Sequence, residues 1–108
     1  MDSKTDNVVK NFLKEVSTQI PGFSKAYLFG SHAKRKQKKD SDIDIAIVIN
    51  GLNDDEKFDK QVQLLVMASN YDTRIEPHPI ALEDLNSNNP FASEILNYGI
   101  ELTEYAIE

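Results

Sequence analysis

Residues Ile43 to Ile49 alternate strictly. Ile43, Ile45, Ile47 and Ile49 fall on one side, while Asp42, Asp44, Ala46 and Val48 fall on the other. A period of two marks a strand, here one whose isoleucine face packs on helices. Upstream, Val8, Val9, Phe12, Leu13, Val16 and Ile20 recur at the spacing of one helical face. They predict a helix over 6–20, started by Thr5 or Asp6 and ended by Pro21-Gly22. Lys25 to Phe29 reads as a short strand that Gly30 stops, and Ser31 to Lys36 as one or two helical turns. Asn50-Gly51 turns the chain. A second long helix is expected from Asp54 or Asp55 to about Asn70, with Phe58, Val62, Leu65 and Val66 as its apolar face.

Thr73 to Glu76 reads as a third strand. Pro77 and Pro79 lack backbone donors, so this strand either ends there or lies at a sheet edge. Asn89-Pro90 opens a last helix, with proline at its first position, and Gly99 closes it. Ile100 to Tyr105 is expected to be a short extended tail or strand. The order predicts an α/β (α+β) fold, a small mixed sheet of about three to four strands flanked by helices, in a single domain over 1–108.

Composition narrows the chemistry. The chain has 108 residues, no cysteine and two histidines. That excludes disulfides, thiolate metal sites and a cysteine nucleophile, and argues against zinc. No apolar run is long enough to span a bilayer, and Met1 to Asp6 lacks a signal-type apolar region, so a cytoplasmic location is expected, without a membrane partner. The net charge is −6, yet five of the twelve basic residues lie within Lys34 to Lys39. An acidic protein is a poor binder of long nucleic acid. A basic loop beside acidic residues suits a single polyphosphate better, although a charge run is often just a solvated surface.

The acids beside that loop give the strongest signal. Gly30-Ser31 is followed by ten residues and then Asp42-Ile43-Asp44. In a strand, Asp42 and Asp44 share a face roughly 6–7 Å apart, an unfavourable pairing unless a cation sits between them. Gly30 allows a turn and close approach to a ligand. Ser31 offers a hydroxyl and a backbone N–H, and Lys34 and Arg35 can neutralise outer phosphates. Magnesium takes one or two carboxylates plus substrate phosphates, which Asp42 and Asp44 supply. Glu76, on a strand reached by a helical crossover, is the best candidate for a third carboxylate in a two-metal centre. The competing reading is an exposed edge-strand acid or a partner for Arg74, and the ligand reading is preferred. His32 can be read as a phosphate contact or a loop residue. His78, on the same strand face as Glu76, can be read as orienting that acid or as an exposed histidine between prolines.

Gly30-Ser31, the ten-residue spacer, Ser41-Asp42-Ile43-Asp44 and Ile75-Glu76-Pro77-His78-Pro79 together resemble the minimal nucleotidyltransferases of the polymerase-beta superfamily. The resemblance runs from the first helix to about Gly99. It implies that Gly30 and Ser31 hold a nucleoside triphosphate and that Asp42, Asp44 and Glu76 hold two Mg2+ ions. Small stand-alone members look like antitoxins of HEPN-domain ribonucleases. That likeness implies transfer of AMP from ATP to a tyrosine of such a partner. The chain departs from the family pattern at Arg35, where a second glycine is usual.

Other readings remain. A calcium loop starting at Asp40 fails, because Ile45 and Gly51 stand where it needs glycine and glutamate. A non-catalytic module could cover a partner with Phe91, Ile95, Tyr98 and Tyr105, residues equally suited to core. Small size argues against a transferase acting on a small molecule, and acidic balance against one acting on an RNA end.

Overall fold

In the computed structural model, which describes residues 3–34, 41–86 and 88–102, the alternating segment forms strand β2 (Ile43–Ile49) inside a four-stranded sheet. The sheet order is β3-β2-β1-β4, with β1 at Phe23–Phe29, β3 at Ile75–Ala81 and β4 at Ile100–Leu102. Strand β1 runs antiparallel to both β2 and β4, whereas β2 and β3 are parallel. Parallel neighbours need a crossover. Helix α3 (Lys57–Ser69) supplies it.

The isoleucine face of β2 is buried under helices α1 (Ser3–Gln19) and α3. Val9, Phe12, Leu13 and Val16 of α1 supply the facing stripe. The other face carries Ala46 and Val48, covered by helix α4 (Pro90–Tyr98) through Ala92 and Ile95. The result is three layers with two apolar clusters, one on each side of the sheet. As expected, Asn89 caps α4: its side-chain oxygen accepts from the N–H groups of Phe91 and Ala92, with Pro90 next in line.

Four expectations need correction. Helix α1 starts at Ser3, so Thr5 is buried within it and its hydroxyl accepts from Arg74 Nη2 at 3.3 Å rather than capping. The start of α3 is fixed one step earlier than expected. Asn53 N–H donates to Glu56 Oε1 at 3.1 Å, and a 3₁₀ turn over Asp54–Glu56 leads into the helix.

The expected apolar face of α3 is the wrong one. Phe58 is 76% exposed and Val62, Leu65 and Val66 are exposed with it, while Leu64, Met67 and Ala68 are buried against the sheet. Helix α3 carries two apolar stripes, and periodicity alone does not say which one meets the core.

Of the two readings of strand β3, an end at Glu76 is overturned and an edge position is borne out, since the strand runs through both prolines to Ala81. It is an edge strand, which is where proline is tolerated. Pro77 and Pro79 are two apart, so both turn their missing donors to the same side. That side is the open one: the Pro77 carbonyl accepts from Gln61 Nε2 of α3 at 3.4 Å.

The turn into β3 is held by charge. Arg74 donates from Nη2 to Asp72 Oδ2 at 2.8 Å and from Nε to Asp72 Oδ1 at 3.1 Å. The Tyr71 hydroxyl donates to Glu15 Oε1 at 2.5 Å and ties this turn to α1. Residues 35–40 and 103–108, which include Arg35, the rest of the basic loop and Tyr105, lie outside the described residues. Among the described residues, no helix is long and apolar enough to cross a membrane.

Candidate active site

The site forms where β1 ends and β2 and β3 begin. Asp44 is the direct register partner of Glu76 on β3 and of Phe29 on β1. Partners in a parallel register project from the same face, so two carboxylates from different segments stand side by side. Asp42 comes just before β2 and is exposed. Burial raises the Glu76 pKa above the usual carboxylate value, and the Asp42 carboxylate raises it further. Asp44 adds to the same effect, while His78 opposes it. Asp42 and Asp44 therefore both lie close enough to Glu76 to make its ionisation more costly.

Glycine 30 links the two halves of the sequence motif. It has φ +73°, a region that side chains rarely occupy, and opens the single-turn helix α2 (Gly30–Ala33). A Cβ placed on it would lie 2.5 Å from Asp44 Oδ2. The glycine thus makes room for the acid as well as for the turn. Ser31, half-buried, follows it at the start of α2.

Lys34, at the end of α2, is held by α4. Its Nζ lies 3.1 Å from Glu94 Oε2 and 4.7 Å from the centroid of the Tyr98 ring. Both partners of the ion pair are partly exposed, so the pair is worth only about 0–1 kcal/mol and exchanges readily for a stronger anion. His32 is buried, not a surface loop residue, with Nε2 3.5 Å from the Ser41 carbonyl oxygen. Among the described residues its buried Nδ1 has no hydrogen-bond partner.

His78 is also differently placed than expected. It stands between two acids and not beside Glu76 alone: Nε2 lies 3.2 Å from Asp44 Oδ1 and 3.9 Å from Glu76 Oε1. Asp44, Glu76 and His78 each bring a potential ligand atom within 4.8 Å of the others. Arg74 is paired with Asp72, which leaves Glu76 to the acidic cluster.

The donor set fits a hard divalent cation. Carboxylate oxygens dominate it, and a bound cation would offset both the burial and the neighbouring carboxylates that raise the Glu76 pKa. The family model described as "Polymerase beta, Nucleotidyltransferase" matches residues 9–108. This chain belongs to that family. It is a nucleotidyltransferase, with a mixed sheet flanked by helices as that fold requires.

Three relatives illustrate the likeness. A predicted protein adenylyltransferase of Methanocaldococcus jannaschii is 27% identical over 97 residues, covering 88% of this chain and 95% of that protein. The crystal structure of a toxin–antitoxin with AMP-PNP aligns with a TM-score of 0.57 and 20% identity over 89% of this chain and 70% of that one. A predicted nucleotidyltransferase from Sulfolobus solfataricus aligns with a TM-score of 0.56 and 24% identity over 89% of this chain and 77% of that one.

Sequence reasoning expected Gly30, Ser31, Asp42, Asp44 and Glu76 in one place; the structure sets Gly30 against Asp44 and Asp44 beside Glu76, with His78 as the third member of the tightest group. That reasoning missed Glu94 as the partner of Lys34. It also missed the pairing of His78 with Asp44, for which strand parity was the sole available hint.

Proposed function

We propose that this nucleotidyltransferase moves AMP from ATP to a hydroxyl of a partner protein, with two Mg2+ ions, and thereby acts as an antitoxin. The acceptor is read as a tyrosine of an HEPN-domain ribonuclease. The observation that carries the proposal is the register of Asp44 with Glu76, beside a Gly30 whose lack of a side chain admits the Asp44 carboxylate. The adenylyltransferase relative and the AMP-PNP-bound toxin–antitoxin neighbour support the choice of nucleotide and of partner class.

Asp42, Asp44 and Glu76 would hold the ions. When bound, the ions would lower the cost of deprotonating the attacking phenol and steady the leaving pyrophosphate. The rest of the work falls to the chain itself. The acceptor hydroxyl releases its proton to water, its oxygen forms a bond to the α-phosphorus, and the bond from that phosphorus to pyrophosphate breaks. Gly30 and Ser31 place the triphosphate at the head of β2. Lys34 leaves Glu94 to meet a phosphate, trading a weak exposed pair for a doubly charged one.

The open, acid-lined edge leaves acceptor choice to the partner that docks there. A second reading, binding without chemistry, draws on the exposed stripe Phe58, Val62, Leu65 and Val66. Exposed apolar stripes mark interaction surfaces. Mass spectrometry of an HEPN-domain partner protein, after incubation with this chain, ATP and Mg2+, separates the two. The proposal expects an adenylyl group on a partner tyrosine. An unmodified partner in an intact complex leaves only the binding reading.

A further inference from the structure

His78 is built into the site more firmly than a histidine between two prolines need be. In the sheet it sits opposite Ala46, whose small side chain separates it from Tyr27. The imidazole lies against Phe29, with centroids 5.2 Å apart at 66°, and near Phe91 of α4 at 6.0 Å. Phe29 and Phe91 in turn meet edge-to-face at 5.2 Å. Such contacts wall the ring on two sides. Its Nε2 is 3.2 Å from Asp44 Oδ1. The tautomer that carries its hydrogen on Nε2 donates it to this carboxylate oxygen. A nitrogen that donates to Asp44 is not at the same time a lone-pair ligand. On the other side, Oδ2 of the same carboxylate lies against Gly30. Asp44 thus has one oxygen beside the imidazole and the other in the space that a Gly30 side chain would fill.

We propose that His78 is a positioning residue: walled by Phe29 and Phe91, it holds the Asp44 carboxylate in the orientation that receives a divalent cation. The inference rests on the reading of Asp44 as a metal ligand, and hydrogen bonds of this kind commonly orient such ligands. It gives α4 a second task. Besides covering the sheet, α4 supplies Phe91 as one wall of the ring's seat.

The test uses the full chain and Mn2+ as probe, read by titration calorimetry and electron paramagnetic resonance without turnover. His78→Leu keeps volume against the two phenylalanines but has no donor; His78→Gln supplies an amide donor. Leu is expected to weaken Mn2+ binding about 10- to 100-fold, and Gln to recover part of it. The turnover number for nucleotide transfer should fall with Leu by a similar factor while KM for ATP stays within about two-fold. Asp44→Asn serves as the control for the metal reading.

If Asp44→Asn weakens Mn2+ binding and His78→Leu does not, the positioning role is overturned and the metal site stands. If neither variant changes binding, both ideas fail. A nitrogen coupling in the wild-type Mn2+ spectrum, lost in both His78 variants, makes His78 a ligand and also overturns the proposal. Equal melting temperatures for the Leu and Gln variants, with unequal Mn2+ affinities, distinguish positioning from a merely structural role.

Discussion

Gly30 and Asp44 compete for the same space: a Cβ on the glycine would fall 2.5 Å from the Asp44 Oδ2 atom. The two ends of the Gly-Ser to Asp-x-Asp motif are therefore one packing unit, fourteen residues apart in the chain.

Gly30→Ala meets two penalties at once, a φ of +73° and the Asp44 carboxylate. The backbone strain alone costs about 1–3 kcal/mol. Because Asp44 must also move, activity should fall further than stability, by about 100-fold for a displacement near 1 Å. Denaturant melts and transfer rates on the same protein check this. A variant with near-normal turnover would show that the close approach is unimportant.

Lys34 tests the hand-over from α4 to nucleotide. Removing its partner with Glu94→Gln should tighten ATP binding by up to about five-fold, since an exposed pair contributes at most about 1 kcal/mol. Lys34→Ala should weaken it. Fluorescence titration with an ATP analogue reads both. Weaker binding in Glu94→Gln would mean that the acid helps to build the site.

The two stripes of α3 make opposite predictions for stability. Leu64→Ala, in the core, should cost about 2–5 kcal/mol. Phe58→Ser, on the exposed stripe, should change stability by no more than about 0.5 kcal/mol. Urea melts of the two variants decide which face of the helix is buried.

The pair Asp72–Arg74 gives a pH dependence with a definite sign. The hydrogen bonds from Arg74 are the largest influence on Asp72 and lower its pKa below the usual carboxylate value, against an opposing effect of burial. The folded chain then binds fewer protons than the unfolded one between the lowered and the ordinary values. Stability from this group is full above the ordinary carboxylate range and is lost as pH falls through the lowered value. Asp72→Asn should destabilise the protein at pH 7 by about 1–2 kcal/mol and flatten the loss of stability on acidification. Thermal melts from pH 7 down to pH 3 measure both effects.

Much of this architecture was legible in the chain because β2 alternates without a break, from Ile43 on one face and Asp44 on the other. Burial of the isoleucines fixes the face of the acids, and the crossover through α3 places Glu76 beside them. The face of α3 was not legible. Its exposed stripe is the more regular of the two, and only the tertiary fold shows that Leu64, Met67 and Ala68 meet the sheet. The length of β3 was hidden by Pro77 and Pro79, since a missing donor is harmless at an edge and a sequence does not label its edges. The hold of His78 on Asp44 spans 34 positions and depends on two phenylalanines from other elements. No local pattern encodes that arrangement.

The central claim is that the acids at the head of β2 perform nucleotidyl transfer. It is tested most directly by incubating the partner protein with α-labelled ATP and Mg2+, using either the wild-type chain or the Asp42→Asn, Asp44→Asn double variant, each confirmed folded by its melting transition. The account predicts label on the partner with the wild type and none above background with the variant. Label transferred equally by both would contradict it.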